Sequence, residues 1–182
     1  MRFLFVFGLL FLAFTHAAAN QRTLQLEAFR IEDQVAYVQL RVDNLYTQDI
    51  IDAIDGGLDV QYSYEFNLQR HRLLWFDATK ATFKVYKQIT YDALRRVYHV
   101  QTIKGEQHDV REYRNRERAL DNFQNSTLIP IPGFQSHHYL QVRASLSEFS
   151  HWFPLNLIVR TFADWEFRTE PLTLEYGDRR SE

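Results

Sequence analysis

The sequence predicts a mainly β protein: an antiparallel β-sandwich, immunoglobulin-like or similar, of about eight or nine strands with two short helices. Two observations predict it. Most of the chain beyond residue 20 alternates apolar and polar side chains with period two, the pattern of strands that bury one face. There is also no cysteine, so the roughly 160 residues after residue 19 must be held by a core, and a chain of that size buries about 70% of its unfolded surface, enough for one domain. A closed barrel of the same strands is the alternative.

The elements follow in order. Residues 1–19 read as a secretory signal peptide: Arg2 gives the positive start, Phe3 to Phe14 the apolar run, and Ala17-Ala18-Ala19 the small residues before cleavage. The run is short of the roughly 20 residues needed to span a bilayer. The expected location is therefore exported and periplasmic, the alternative being anchorage by an uncleaved N-terminal segment. Residues 20–176 form the single domain and 177–182 a tail. Leu24, Leu26 and Ala28 alternate in a first strand, and Ala36, Val38, Leu40 and Val42 in a second, with Asp33-Gln34 as the turn. Thr47 caps a helix carrying Ile50, Ile51 and Ile54 that stops at Gly56-Gly57.

The strongest strand is LDVQYSYEFNL, where Leu58, Val60, Tyr62, Tyr64, Phe66 and Leu68 share one face. That stripe reads as core. Alternation fails at Arg70-His71-Arg72 and the apolar run Leu73 to Phe76, which marks a strand end. Ala81 to Tyr91 is a further strand with a break at Lys87. Val97 to Ile103 follows a turn over Asp92 to Arg96, and Lys104-Gly105-Glu106 turns into a strand near His108 to Tyr113. Asn115 caps a second helix with Ala119, Leu120 and Phe123. Leu140 to Leu146, Leu155 to Thr161 and Trp165 to Tyr176 supply the last strands, Pro171 placing the final one at an edge or bulge.

These segments carry a resemblance. LDVQYSYEFNLQRHRLLWFD, ITYDALRRVYHV, YLQVRASLS, FPLNLIVR and DWEF, in that order over nearly all of the chain after residue 19, resemble an exported bacterial family catalogued as domain-of-unknown-function family 4390. The resemblance implies an envelope protein whose gene often lies beside that of a membrane-bound sensor kinase of the nitrogen-regulation type. It implies no catalytic residues.

A search for chemistry returns little. The sequence has no G-x-S-x-G elbow, phosphate loop or H-E-x-x-H. His137 and His138 are adjacent, so on a strand they point to opposite faces and do not share a metal. Asp52 and Asp55 read as a solvated acidic surface. The expectation is a non-enzymatic domain with no cofactor and no metal.

Charge is the most informative feature. Residues 20–69 carry three Arg against nine acids, whereas residues 70–104 carry eight Lys or Arg against two Asp. The basic block either offsets the acidic strands across the sheet or forms a patch for an acidic partner. Arg70, Arg72, Trp75 and Lys80 are the candidate partner-binding residues, for an envelope membrane protein or an anionic membrane surface. Leu73 to Phe76 either plugs the end of the sandwich or forms an exposed aromatic tip. Export and a net charge of −2 argue against nucleic acid. The reading is a protein-binding envelope domain, accessory to a membrane sensor; the alternative is a carrier of an apolar or lipid ligand between the two sheets.

Overall fold

The first hairpin joins β1 (Thr23–Glu32) to β2 (Val35–Asp43). Asp33 and Gln34 turn it at φ 47° and 62°, the positive values a two-residue hairpin turn needs to match the strand twist. The computed structural model describes residues 21–72, 76–146 and 166–177. After β2 comes α1 (Gln48–Asp55), capped by the Thr47 hydroxyl, which accepts from Ile50 N. Gly56 closes the helix and Gly57 follows at φ 81°. The long hairpin of β3 (Val60–Arg70) and β4 (Ala78–Asp92) follows, then β5 (Val97–Lys104) and β6 (Gln107–Tyr113). Helix α2 (Arg116–Gln124) starts at Asn115, whose side chain accepts from Arg118 N. The chain continues in β7 (Ile129–Pro132), β8 (His138–Leu146), β9 (Phe167–Arg168) and β10 (Leu172–Glu175).

Ten strands thus form two antiparallel sheets among the described residues, and neither closes into a barrel. One sheet runs β1-β2-β7. The other runs β10-β8-β3-β4-β5-β6, with β9 also on β8. Both helices are crossovers between the sheets. The arrangement is that of a β-sandwich, as the alternation predicts. The buried faces of both sheets and helices merge in one cluster. Val60, Tyr62, Tyr64, Phe66 and Leu68 are all buried in it. Tyr62 packs edge-on to Phe123 of α2 at 5.0 Å and donates its hydroxyl hydrogen bond to the Phe123 carbonyl at 2.7 Å. Burial pushes the Tyr62 and Tyr64 hydroxyls far above the usual phenol range.

Two expectations change, and one strand is added to those expected. β4 is not broken at Lys87: it runs on, and Lys87 is opposite Tyr62 and Thr102 on the inner face, fully buried. The strand β7 breaks the pattern rule for strands, since IPIP holds two prolines; it survives because, among the described residues, β7 pairs only with β2 and lies at an edge. His137 and His138 do not face apart, because the strand begins at His138 and His137 is still in the preceding turn, so the rings meet at 4.4 Å. The expected strand Leu155 to Thr161 lies outside the described residues.

Candidate functional site

The end of the hairpin between β3 and β4 carries Arg70, Arg72 and Lys80, all exposed; Lys84, Arg95 and Arg96 are exposed elsewhere. β3 pairs with both β4 and β8, so Arg70 has Ala78 on one side and His138 on the other. The register slips by one residue between Leu68 and Gln69, and Lys80 is the extra residue of that bulge, turned to solvent. Burial first lowers the pKa of His138, against the hydrogen bond to the Gly133 carbonyl, and His137, Lys80 and Arg70 lower it further. Arg70, Lys80, His137 and His138 therefore share one end of the sheet. His137 and His138 are remote from the basic block in sequence, and only the β3–β8 pairing reveals them.

The loop beyond the strands is held from its base. Asp77 Oδ1 accepts from the Arg72 backbone N–H at 3.2 Å, closing the loop, and Asp77 Oδ2 accepts from the Tyr139 hydroxyl at 2.8 Å. The Tyr139 bond first, then the Arg72 bond and His71 nearby, hold the Asp77 carboxyl below the usual carboxylate range. His71 stacks on Tyr139 at 4.5 Å and lies 3.5 Å from Asp77 and 4.0 Å from Glu175. With that base fixed, Phe76 stands 95% exposed. Phe76 is therefore outside the core, while Leu73, Leu74 and Trp75, on which the choice between plug and tip rests, lie outside the described residues.

The remaining members of the basic block are elsewhere. Lys84 is opposite Glu65, which has Arg143 on its other side, so one row of the outer face alternates in charge. Arg95 in the β4–β5 turn makes paired hydrogen bonds to Glu112 at 3.2 and 3.3 Å. Lys104 donates to the Pro130 carbonyl at 3.0 Å. Lys87 is the feature the alternation conceals: its amine donates to the Thr102 hydroxyl at 3.3 Å, and burial first, then Arg111, lower its pKa to about 8. Beside it a groove of about 240 Å³ opens between β6 and β7, lined in part by Thr102, Lys104, His108 and Asp109. No group of three or more His, Asp or Glu among the described residues is placed to hold a metal ion, and none of their helices is long and apolar enough to cross a membrane.

Fold and site together define a two-sheet β-sandwich with a cationic, aromatic-tipped hairpin end. Over residues 19–175 the chain matches the family described as Domain of unknown function (DUF4390), and it belongs to that family. No curated protein matches it, and no solved structure does.

Proposed function

We propose that the protein is an exported envelope domain that performs no reaction of its own and binds an acidic protein partner through the β3–β4 tip. The observation that carries the reading is Phe76, 95% exposed next to Asp77, whose carboxylate is bonded by Arg72 and Tyr139, at the hairpin end that carries Arg70, Arg72 and Lys80. An aromatic anchor beside cationic groups is the usual composition of an interaction hot spot. Asp77 and Glu175 lie within the same end, and such mixed charge suits a protein surface better than a uniformly anionic lipid layer. The family resemblance suggests a membrane sensor kinase of the nitrogen-regulation type as the partner class. The rival reading, a carrier of an apolar ligand, needs aromatic faces to spare. The core spends them internally: Tyr62 on Tyr64 at 5.2 Å and Phe66 stacked on Phe83 at 4.9 Å.

The test is recovery of partners from envelope membranes with the purified protein as bait, in rising salt. A specific membrane protein should be retained, and its retention should fall with salt as the screening length shrinks to roughly 8 Å at physiological ionic strength. Phe76→Ala should lower it by about 2 kcal/mol or more. Equal recovery by wild type and Phe76→Ala sinks the reading. Binding to protein-free anionic vesicles in place of any protein points to a membrane surface instead. Export is tested by the mass of the protein from its host, where loss of residues 1–19 is expected and an intact chain in the cytosol overturns it.

A further inference from the structure

The strand edges of the sandwich are not alike. β1 carries a bulge, its register slipping between Leu26 and Ala28. β7 holds Pro130 and Pro132, and Lys104 occupies the Pro130 carbonyl. β10 is only four residues long and starts directly after Pro171. Bulges, prolines and shortness are the devices that blunt an edge against further pairing. β6 has no bulge and no proline and is seven residues long. What guards it is charge, with Arg111 on Asp109 at 3.2 Å and Arg95 on Glu112 at 3.2 Å, and these are the groups a partner strand of matching charge would share. Among the described residues β6 pairs with β5 alone, Gln107 to Glu112 are exposed, and Val110 shows 53% of its surface to solvent. The two-residue turn led by Gly105 at φ 58° closes on the pair Lys104–Gln107. Hydrogen-bonded pairs alternate from there, so His108, Val110 and Glu112 direct their backbone N–H and C=O groups away from β5.

We infer that β6 pairs with β6 of a second copy of this chain about a two-fold axis through Val110, continuing the larger sheet across the interface. The sequence of β6, QHDVREY, is complementary to itself in that register. Asp109 faces Arg111 of the partner subunit, and Arg111 faces the partner's Asp109. His108 faces the partner's Glu112, and Gln107 the partner's Tyr113. The backbone agrees, since Val110 is among the residues whose peptide groups point outward, as the centre of a hydrogen-bonded pair requires. Neighbouring registers of the same phase are worse. An axis at Glu112 sets two carboxylates against each other, and one at His108 sets the imidazole against itself and leaves Asp109 opposite Gln107. Opposite charges directly across an antiparallel pair stabilise it and like charges destabilise it. The interface is isologous, so it stops at two copies.

Sedimentation of the purified protein over a concentration series reaching the millimolar range tests this. A monomer–dimer equilibrium is expected. Val110→Pro should give monomer throughout with an unchanged melting temperature, because the N–H it removes points away from β5. Arg111→Asp should weaken the dimer about tenfold or more, and Asp109→Arg with Arg111→Asp should restore it by exchanging the two partners; this charge exchange is decisive should Val110→Pro not fold. A wild-type protein that stays monomeric at every concentration overturns the inference. So does a dimer indifferent to Val110→Pro, or a charge exchange that fails to restore what Arg111→Asp removes.

Discussion

Lys80 and Lys87 lie on the same strand, in the same basic stretch of sequence, and have opposite fates. Lys80 is the extra residue of a bulge near the open tip and faces solvent. Lys87, deeper along β4, points into the sandwich beside Tyr62 and Thr102, with one hydroxyl as its hydrogen-bond partner. Parity alone separates them: an odd number of positions apart, they fall on opposite faces of an alternating strand, and the bulge changes only the residues before Lys80, setting Thr79 opposite outward-facing Gln69. A run of like charge in sequence is therefore not a patch in space. The block divides: Arg70, Arg72 and Lys80 lie at one end of the β3–β4 hairpin, where strand pairing adds His137 and His138, and Arg95 with Arg96 lies in the β4–β5 turn.

Substitutions along β3 and β4 put the contrast between the two lysines to the test, the most damaging first. Tyr64 is the control for the buried face on which Lys87 lies. Tyr64→Ala should destabilise by about 3–5 kcal/mol, since Tyr64 is fully buried and bonded to the Tyr62 hydroxyl at 2.9 Å. Gln61→Ala, on the other face, should stay within about 0.5 kcal/mol. Equal denaturant midpoints would show that the register of β3 is wrong.

Lys87 comes next. Its pKa is lowered from 10.5 to about 8 in the folded protein, so between these values the unfolded chain binds the proton that the folded one has shed. Stability should then rise as pH increases from about 8 to 10.5, by about 3 kcal/mol. Below pH 8 the cost of the buried charge is fully present. Lys87→Met should accordingly be more stable near neutral pH by about 1–3 kcal/mol and should lose the rise. Urea unfolding of both proteins at pH 7 and pH 10 measures this, and parallel pH profiles would deny that Lys87 is buried.

At the tip the expectation reverses. Arg72→Glu with Lys80→Glu should leave the unfolding midpoint within about 0.5 kcal/mol while removing most partner recovery in the envelope assay. A large loss of stability would make the tip structural. The smallest effect belongs to Asp77→Asn, at an exposed position. Its carboxyl is held below the ordinary range in the folded state, so its contribution is present above the unfolded pKa and disappears as pH falls through the depressed one. Amide exchange at Arg72 should quicken in the variant at neutral pH and in the wild type only in acid. Identical exchange in both would mean that Asp77 does not close the loop.

The class of fold is legible in the chain alone, because period-two alternation with one apolar face leaves a protein without cysteine little choice but a sandwich of antiparallel strands. Both helices are legible too: Thr47 and Asn115 cap them where the sequence places them, since capping is a local matter of one side chain and a backbone N–H two or three residues on. The core stripe from Val60 to Leu68 follows for the same reason. Long-range pairing does not. The strand Ile129–Pro132 exists only because β2 lends it a partner on one side, and no local rule makes a strand of IPIP. Lys87 reads as an interruption because an amine does not belong in an apolar stripe, and only the opposing Tyr62 and Thr102, with α2 packed over β4 and β5, hold it in the strand. His138 comes beside Arg70 only through the β3–β8 pairing, and His137 comes with it from the turn before β8. Which charges meet is decided by strand order and register, quantities that belong to pairs of segments rather than to any one of them.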